Sequence, residues 1–263
     1  MALYNQLPDS VKDAGVLKVV TLGPYPPYVV PTSSGGLEGP SIDFINAFGE
    51  LVGLKVEFTA VAGLGPMITG IQSGRYDFST NHLADTWERH QTVDIIDTQK
   101  DSFAFAVAKD NPKGIKSLDS VCGLRIGTIT GTAPEAALKI QSEKCVARGE
   151  QPAINLAVPD QATSILAVRS GRSDAVFTSS SPLSYYVKQS SNELELAGVG
   201  EDNGGYSNLL QGSIVAQGSA MATVLLQGYE KLFANGTYAR VYKGQIPEVN
   251  QIEKPGLNLA PQK

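Results

Sequence analysis

The chain has 263 residues but only two cysteines, two histidines and one tryptophan. A structural zinc site needs a closely spaced set of cysteine and histidine ligands, and that spacing is absent from His82, His90, Cys122 and Cys145. We therefore expect no metal and no cofactor. No apolar run approaches the roughly 20 residues that a membrane-spanning helix requires. The sequence thus predicts a soluble globular protein.

Charge is also scarce. Charged residues make up 18% of the chain, with 21 Lys and Arg against 26 Asp and Glu and a net charge of −5. Contacts to phosphates require clustered Lys and Arg, and no basic run is present, so we exclude nucleic acid as a partner. The hydrophobic content of 42% argues against disorder, and the length allows one large or two modest domains.

Enzyme signatures are missing as well. The sequence has no Gly-x-Ser-x-Gly elbow, no phosphate loop ending in Gly-Lys-Ser/Thr and no His-Glu-x-x-His. The hydroxyl run at 178–182 has no histidine nearby in the sequence to activate a nucleophile, and we interpret it as a helix cap. No pair of carboxylates stands out for acid–base work. We therefore predict a protein that is not an enzyme.

Strands and helices alternate along the first third of the chain. Short apolar strands are predicted at 17–22, 54–58 and 76–78, with helices at 41–52 and 67–71 between them. The apolar face of the first helix carries Ile45, Phe48, Leu51 and Val52, and Gly53 stands where a C-cap is expected. This βαβαβ order favours an α/β fold with a mostly parallel sheet and right-handed crossovers.

A short segment occurs twice. Ser-Gly-Arg-Tyr-Asp at 73–77 is echoed by Ser-Gly-Arg-Ser-Asp at 170–174, and each copy follows an apolar helix and precedes a strand. Taken alone, this pattern is only a helix stop and a turn. A strand at 124–128, a helix at 133–145 and a strand at 154–158 precede the second copy in matching order. We therefore predict two similar α/β lobes.

The lobe boundaries follow from two connecting runs. The apolar run 102–108 joins the halves, and 213–216 is a candidate return strand before a long amphipathic helix at 221–234. These runs predict lobe 1 at 1–103 and 212–263, and lobe 2 at 104–211. The two chain crossings form a hinge, and a ligand cleft is expected between the lobes, at the carboxyl ends of the strands.

Arg89 is a candidate anion ligand because it follows a predicted strand end in Asp-Thr-Trp-Glu-Arg. Its planar guanidinium matches a carboxylate. On position alone, a solvated arginine on a helix surface is the more common case. A second candidate is the helix start at 130–135, where Thr132 and Glu135 predict a capping box and the free N–H groups would attract an anion. The alternative is a capped helix without a binding role.

Aromatic and polar side chains follow two other strands. Tyr25 and Tyr28 flank two prolines that stiffen the loop, so the rings would form a wall for an apolar or cationic group. The alternative is a turn with half-buried aromatics. Asn81 and His82 are candidate polar contacts, although a lone histidine more often has a structural role.

The two cysteines and the N-terminus bear on the compartment. Cys122 and Cys145 are either reduced core residues or one disulfide, which would place the protein outside the cytosol. The first eight residues have neither a basic start nor an apolar run, so we expect no signal peptide in this chain. A mature exported chain with an added Met would look the same.

In this order, several segments resemble the extracytoplasmic solute-binding proteins of the amino-acid type, which serve ABC importers. The resemblance covers nearly the whole chain, and it is carried by 35–53 with Asp43, 70–77, 85–89, 122–127, 130–132 and 236–239. It implies two lobes that close on a ligand, export from the cytoplasm, delivery to an ABC permease and a monomer without enzyme activity. It also favours a disulfide between Cys122 and Cys145.

The resemblance also assigns roles. Arg89 matches the arginine that binds a ligand α-carboxylate, helped by N–H groups near Thr132 and Ala133, and Tyr25 matches the aromatic that packs on the ligand side chain. The complete expected contact set is Tyr25, Tyr28, Leu64, Asn81, His82, Ala84, Arg89, Ile129, Thr132, Ala133 and Ser179.

The chain departs from the family at the α-ammonium. Ser179 stands where amino-acid binders have an aspartate, Ala84 replaces a hydroxyl residue, and Asn81-His82 replace small residues. A buried ammonium without a carboxylate is costly. We therefore expect a carboxylate-bearing solute without a free α-ammonium: an opine-like, ectoine-like or betaine-like compound, or a plain organic acid.

Several alternatives stay open. Another acid, for example Glu201 or Asp202, would restore binding of an ordinary amino acid. An enzyme on the same fold, of the cyclohexadienyl or arogenate dehydratase type, would need an acid or base in the cleft, for which His82 is the visible candidate. A sensory module would require a membrane-spanning segment.

Overall fold

The computed structural model describes residues 2–61, 63–204 and 208–261. Its strands are β1 Val16–Leu22, β2 Val30–Pro31, β3 Leu37–Glu38, β4 Lys55–Val61, β5 Phe78–Ser79, β6 Leu83–Ala84, β7 Val93–Asp101, β8 Phe103–Ala108, β9 Arg125–Ile129, β10 Ile154–Val158, β11 Ala175–Ser179, β12 Leu194–Ala197, β13 Leu209–Ala216 and β14 Gln251–Leu257. Its α-helices are α1 Asp9–Ala14, α2 Pro40–Val52, α3 Leu64–Gln72, α4 Ala133–Ala147, α5 Gln161–Arg169, α6 Ser180–Gln189, α7 Ala220–Ala234 and α8 Thr237–Tyr242. Single 3-10 turns lie at Tyr4–Gln6, Arg89–Gln91, Leu118–Ser120 and Glu248–Asn250.

The chain forms two α/β units, as the sequence predicts for the fold class. Unit 1 comprises 1–100 and 209–263, and unit 2 comprises 101–208. Each unit has its own sheet with helices packed against it. Within the described ranges, no helix is both long enough and apolar enough to cross a membrane.

The sheet of unit 1 has the strand order β14-β7-β13-β5-β1-β4, with β6 added beside β13. The βαβ part is parallel, because β1 pairs in parallel with both β4 and β5. The strands that return from later in the chain pair antiparallel: β13 with β5 and β6, and β14 with β7. The sheet is therefore mixed, since only strands joined by crossover helices need to be parallel.

Helix α2 packs the main core of unit 1. Pro40 occupies its first turn, where a missing N–H is tolerated, and Gly53 ends it in the left-handed conformation with φ 77°. The predicted apolar face omits Phe44, which is fully buried with its ring centroid 4.9 Å from that of Tyr229. A Cβ on Gly228 would lie 2.4 Å from the Phe48 ring, so glycine lets helix α7 approach α2.

The sheet of unit 2 has the order β10-β9-β11-β8-β12. Strands β10 and β11 both pair in parallel with β9, whereas β11 and β12 pair antiparallel with β8. Phe105 and Phe177, opposite each other in register, stack with centroids 4.6 Å apart. A disulfide joins Cys122 to Cys145 of helix α4, with Cα atoms 5.7 Å apart. This confirms the pairing that the family resemblance favours.

The repeated segment has the same structure in both units. The main-chain N–H of Lys18 donates to the Asp77 carboxyl at 2.7 Å, and in unit 2 the N–H of Arg125 donates to Asp174 at 2.8 Å. In return, the N–H of each aspartate donates to the carbonyl of that same strand residue, at 2.8 and 2.7 Å. The aspartate therefore ties the turn after the helix to strand β1 in unit 1 and to strand β9 in unit 2, so both copies of the motif make the same contact.

Candidate functional site

Arg89 lies at the end of a short loop that leaves strand β6 and enters the turn Arg89–Gln91. The guanidinium is half-buried, and its Nη1 donates to the carbonyl of Ala84. Burial lowers the pKa of Arg89, while Asp85 and Glu88 act in the opposite direction. Arginine remains charged despite such a shift. In the described part of the chain, no acidic oxygen lies within the 4.0 Å of an ion pair with this guanidinium.

A pair of carboxyl groups links this loop to the sheet: Asp85 belongs to the loop, and Asp97 belongs to strand β7. Asp85 is buried and hydrogen-bonds the Nε2 of His90 through Oδ1, while its Oδ2 accepts the N–H of Ala260 at 2.8 Å. Asp97 of strand β7 is fully buried and accepts the N–H of Leu259 at 3.1 Å. Burial, with Asp85 as a hydrogen-bonding neighbour, raises the pKa of Asp97 to about 9. This pair does not stand out in the sequence, because one residue comes from a loop and the other from a strand.

Replacing Asp97 by asparagine should change the pH dependence of stability. The pKa of Asp97 in the folded protein lies above its value of about 3.9 in the unfolded chain. Protonated Asp97 therefore makes its full contribution to the free energy of unfolding at low pH, and this contribution is lost as the pH rises toward about 9. This group alone removes up to about 1.4 kcal/mol of unfolding free energy per pH unit. Between pH 7 and pH 9, Asp97→Asn should therefore gain stability relative to the wild type. Urea unfolding of both proteins at several pH values measures this difference in unfolding free energy.

The matched control for that experiment is Asp43→Asn, at an exposed position of helix α2. Its stability difference from the wild type should stay constant between pH 7 and pH 9. A constant difference for Asp97→Asn as well would show that the folded protein does not hold a proton on this carboxyl group.

Three aromatic rings form a second part of the candidate site in unit 1. The centroids of Tyr25, Tyr28 and His82 form a triangle with sides of 5.1, 5.3 and 5.9 Å, and their planes lie within 19° of parallel. Tyr25 is half-buried, and His82 is buried. Burial lowers the pKa of His82 to about 3, so the ring is neutral near pH 7. Its Nδ1 lies 3.4 Å from the Ser41 hydroxyl, and its Nε2 has no partner among the described residues.

The remaining expected contacts of unit 1 have internal partners. The Asn81 amide donates to Thr98 at 2.8 Å and to the Tyr242 hydroxyl at 2.7 Å, and Tyr242 donates back to Asn81 at 3.0 Å. Asn81 therefore acts as a buried link in the lobe interior. Leu64 begins helix α3 and packs, half-buried, against the core around Met67.

In unit 2, the start of helix α4 differs from the predicted capping box. The Thr132 hydroxyl donates to the carbonyl of Ile129 at 2.6 Å instead of accepting a helix N–H. Glu135 accepts the N–H of Gly131 at 2.7 Å, one residue before the expected partner. The capping box is therefore wrong, because Thr132 has a closer acceptor in the preceding strand. Among the described residues no side chain caps the start of this helix, and Ala133 stands exposed in its first turn.

Ser179 lies at the junction of strand β11 and helix α6, next to a residue that sequence reasoning missed. Asp101 is fully buried and accepts the N–H of Ser102 and the Ser180 hydroxyl, both at 2.8 Å. Ser179 and the N–H of Ser181 also hydrogen-bond it. Burial raises the pKa of Asp101 to about 6, although these bonds act in the opposite direction. The hydroxyl run thus begins a helix as predicted, but Asp101 supplies the cap.

The two acids considered as replacements for an aspartate at 179 are exposed. Glu201 and Asp202 lie on the surface loop after strand β12. Asp101 is instead the carboxyl group that contacts Ser179. A sequence signal existed, since Asp101 directly precedes the apolar run 102–108.

A family model described as bacterial extracellular solute-binding proteins, family 3, matches residues 17–246. The curated arginine-binding protein ArgT of Corynebacterium glutamicum is 26% identical over 197 residues, which are 74% of this chain and 64% of that protein. The chain thus spans less than two thirds of that relative's length.

Among solved structures, an ancestral arginine-binding protein bound to arginine is 26% identical with a TM-score of 0.73, covering 89% of this chain and 99% of that one. An ancestral amino acid-binding protein described as a precursor of cyclohexadienyl dehydratase is 24% identical with a TM-score of 0.74, covering 91% and 98%. The second likeness shows the fold alone. The family match covers most of the sequence, so this chain belongs to the bacterial extracellular solute-binding proteins of family 3.

Proposed function

We propose that this protein captures a small, carboxylate-bearing, amino-acid-derived solute outside the cytoplasm and delivers it to an ABC permease. The observation that carries the proposal is the state of Arg89. Its guanidinium is half-buried against an uncharged carbonyl, without an acidic partner within ion-pair distance in the described residues. A partly desolvated cation of this kind gains most from an incoming anion.

The start of helix α4 offers a second set of donors. Its first N–H groups have no partners inside the helix, and no side chain of the described residues caps them. The helix dipole favours an anion there. We propose that Arg89 binds the ligand carboxylate and that Tyr25 packs on the apolar part of the ligand. In unit 2, we propose the N–H groups of Thr132 and Ala133 as further anion donors, of which that of Thr132 donates to the Ile129 carbonyl at 3.3 Å in this structure.

The proposed ligand lacks a free primary α-ammonium. Ser179 offers a hydroxyl instead of a carboxylate, and Ala84 offers no hydroxyl. Asp101, which contacts Ser179, is fully buried and already accepts hydrogen bonds from Ser102, Ser179, Ser180 and Ser181. A solute whose nitrogen is substituted, cyclic or quaternary, or a plain organic acid, avoids burying an unpaired ammonium.

A thermal-shift screen tests the proposal. The panel contains the ordinary amino acids, opines, ectoines, betaines and simple organic acids. A ligand that binds only the folded protein raises the melting temperature by mass action. We expect the largest shift from a carboxylate outside the ordinary amino acids. A larger shift from an ordinary amino acid would contradict the ligand class, and the absence of any shift from a carboxylate would contradict the function.

One observation favours binding of an ordinary amino acid. Asp101 contacts the Ser179 hydroxyl, at the position where relatives have their aspartate. If the ligand is an ordinary amino acid, Asp101→Asn should abolish the melting-temperature shift that this amino acid causes, while the variant remains folded because asparagine keeps the shape of the protonated carboxyl group. If the ligand is an opine or a betaine, the same variant should keep the melting-temperature shift that this ligand causes.

A dehydratase on this fold is the enzymatic alternative. It would need a group that exchanges protons near pH 7, and the pKa of His82 near 3 makes this residue unsuited to that role. Purified protein is expected to leave arogenate and prephenate unchanged, and turnover of either would decide for the enzyme.

A further inference from the structure

The last described residues of the chain contact the segment that carries Arg89. After strand β14, Asn258 donates its main-chain N–H to the carbonyl of Ile95 at 2.9 Å and accepts the N–H of Ile95 at 2.8 Å. Its amide also donates to Asp94 at 2.9 Å. Asn258 therefore fixes the direction in which the chain leaves the sheet, with φ of +51°, a conformation that asparagine tolerates.

The next two residues point their N–H groups at the carboxyl pair. Leu259 donates to Asp97 at 3.1 Å, and Ala260 donates to Asp85 at 2.8 Å. Asp85 hydrogen-bonds His90 on its other oxygen, and Arg89 is the neighbour of His90. A continuous series of hydrogen bonds thus runs from the C-terminal segment through Asp85 to both ends of the loop 85–90.

Apolar burial does not explain this segment. The Leu259 side chain is 49% exposed, and Ala260 is half-exposed. Neither belongs to the clusters of buried side chains that form the core of unit 1. The Leu259 side chain lies against Gly256, whereas the contacts of this segment with Asp85 and Asp97 are made by two main-chain N–H groups.

We propose that the C-terminal segment 258–260 is a positioning element for the carboxylate site: the N–H of Ala260 holds Asp85, Asp85 holds His90, and the loop thereby presents the Arg89 guanidinium in one orientation. Loss of the donor leaves a buried carboxyl oxygen without its partner, so the loop opens more often. The inference rests on the proposed role of Arg89 for its functional meaning, whereas its test needs no solute.

The test measures the reactivity of Arg89 toward phenylglyoxal, which modifies accessible guanidinium groups. Ala260→Pro removes the N–H that Asp85 accepts, and Ala260→Gly retains it. Modification of the peptide containing Arg89, followed by mass spectrometry well below the melting temperature, should be roughly three- to tenfold faster in Ala260→Pro than in the wild type. Ala260→Gly should react at the wild-type rate.

Arg125 is an internal control, because it is held by Asp174 in unit 2 and its rate should not change in any variant. A second variant, ending at Leu259, loses the same N–H without the geometry of proline and should match Ala260→Pro. Equal Arg89 rates in all four proteins would overturn the inference. So would a parallel rise at Arg125, because that would indicate general loosening. A thermal-shift screen without hits would contradict the proposed function and leave this result intact.

Discussion

Replacing Arg89 by alanine is expected to weaken binding of the solute found in the screen by about 3 kcal/mol, roughly a hundredfold. The guanidinium is half-buried, and among the described residues no acidic oxygen lies within ion-pair distance of it, so a solute carboxylate would supply its main charge interaction. Removing it leaves that carboxylate desolvated without a counter-charge. Isothermal titration calorimetry measures the loss.

Arg75→Ala is the matched control. This arginine lies in the same unit, is exposed, and has its guanidinium carbon 5.3 Å from the centroid of the Tyr76 ring. Its replacement should leave affinity unchanged, and both variants should keep the wild-type circular dichroism. Retention of full affinity by folded Arg89→Ala would rule out this residue as the carboxylate ligand.

Removal of the disulfide is expected to produce the largest loss of stability. The bond joins residues separated by 23 positions, and closing such a loop restricts the unfolded chain enough to stabilise the fold by about 3 kcal/mol. The double variant Cys122→Ala/Cys145→Ala should lose about this much unfolding free energy. Urea unfolding measures the loss of unfolding free energy. Amide hydrogen exchange should be faster in strands β9 and β11 of unit 2 than in the wild type.

Wild-type protein treated with a reductant should lose the same unfolding free energy as that double variant. This comparison separates the effect of the disulfide bond from the effect of replacing the cysteine side chains. Amide groups of strand β1 in unit 1 serve as the comparison for local exchange. A variant with unchanged unfolding free energy would mean that the unfolded chain is already compact around these cysteines.

Local patterns were sufficient for most of the fold. Apolar periodicity located helix α2, and Gly53 marked its end because a left-handed residue closes a helix there. The strand Gln251–Leu257 was missed because it contains Pro255 and Gly256, which normally interrupt strands. It lies at an edge of the sheet, where a proline without an N–H is tolerated.

The chemistry of the site was only partly visible in the sequence. Arg89 is a candidate from the sequence because its neighbours form a recognisable motif, and its role stays a prediction. The contact between Asp101 and Ser179 could not, because 78 positions separate them and only the antiparallel register of β8 and β11, with Ser179 opposite Phe103, brings them together. The carboxyl pair Asp85 and Asp97 was missed for the same reason: burial and pairing are tertiary properties.

Thr132 shows a different limit. Its type and spacing to Glu135 satisfied a rule for helix starts, yet its hydroxyl donates to Ile129. A hydroxyl group can rotate toward any acceptor within reach. The rule for helix starts considers only the residues of the helix itself, so it does not account for a carbonyl group in the preceding strand.

The single tryptophan of the chain has a practical consequence. Trp87 stands two positions before Arg89, and its ring meets that of His90 edge-on at 5.8 Å. Indole emission responds to nearby charge and to hydration, so the arrival of an anion at Arg89 should register as an intrinsic optical signal. Rapid mixing would then follow capture and release in real time without a dye, and would give the residence time on which the proposed handover to a permease depends.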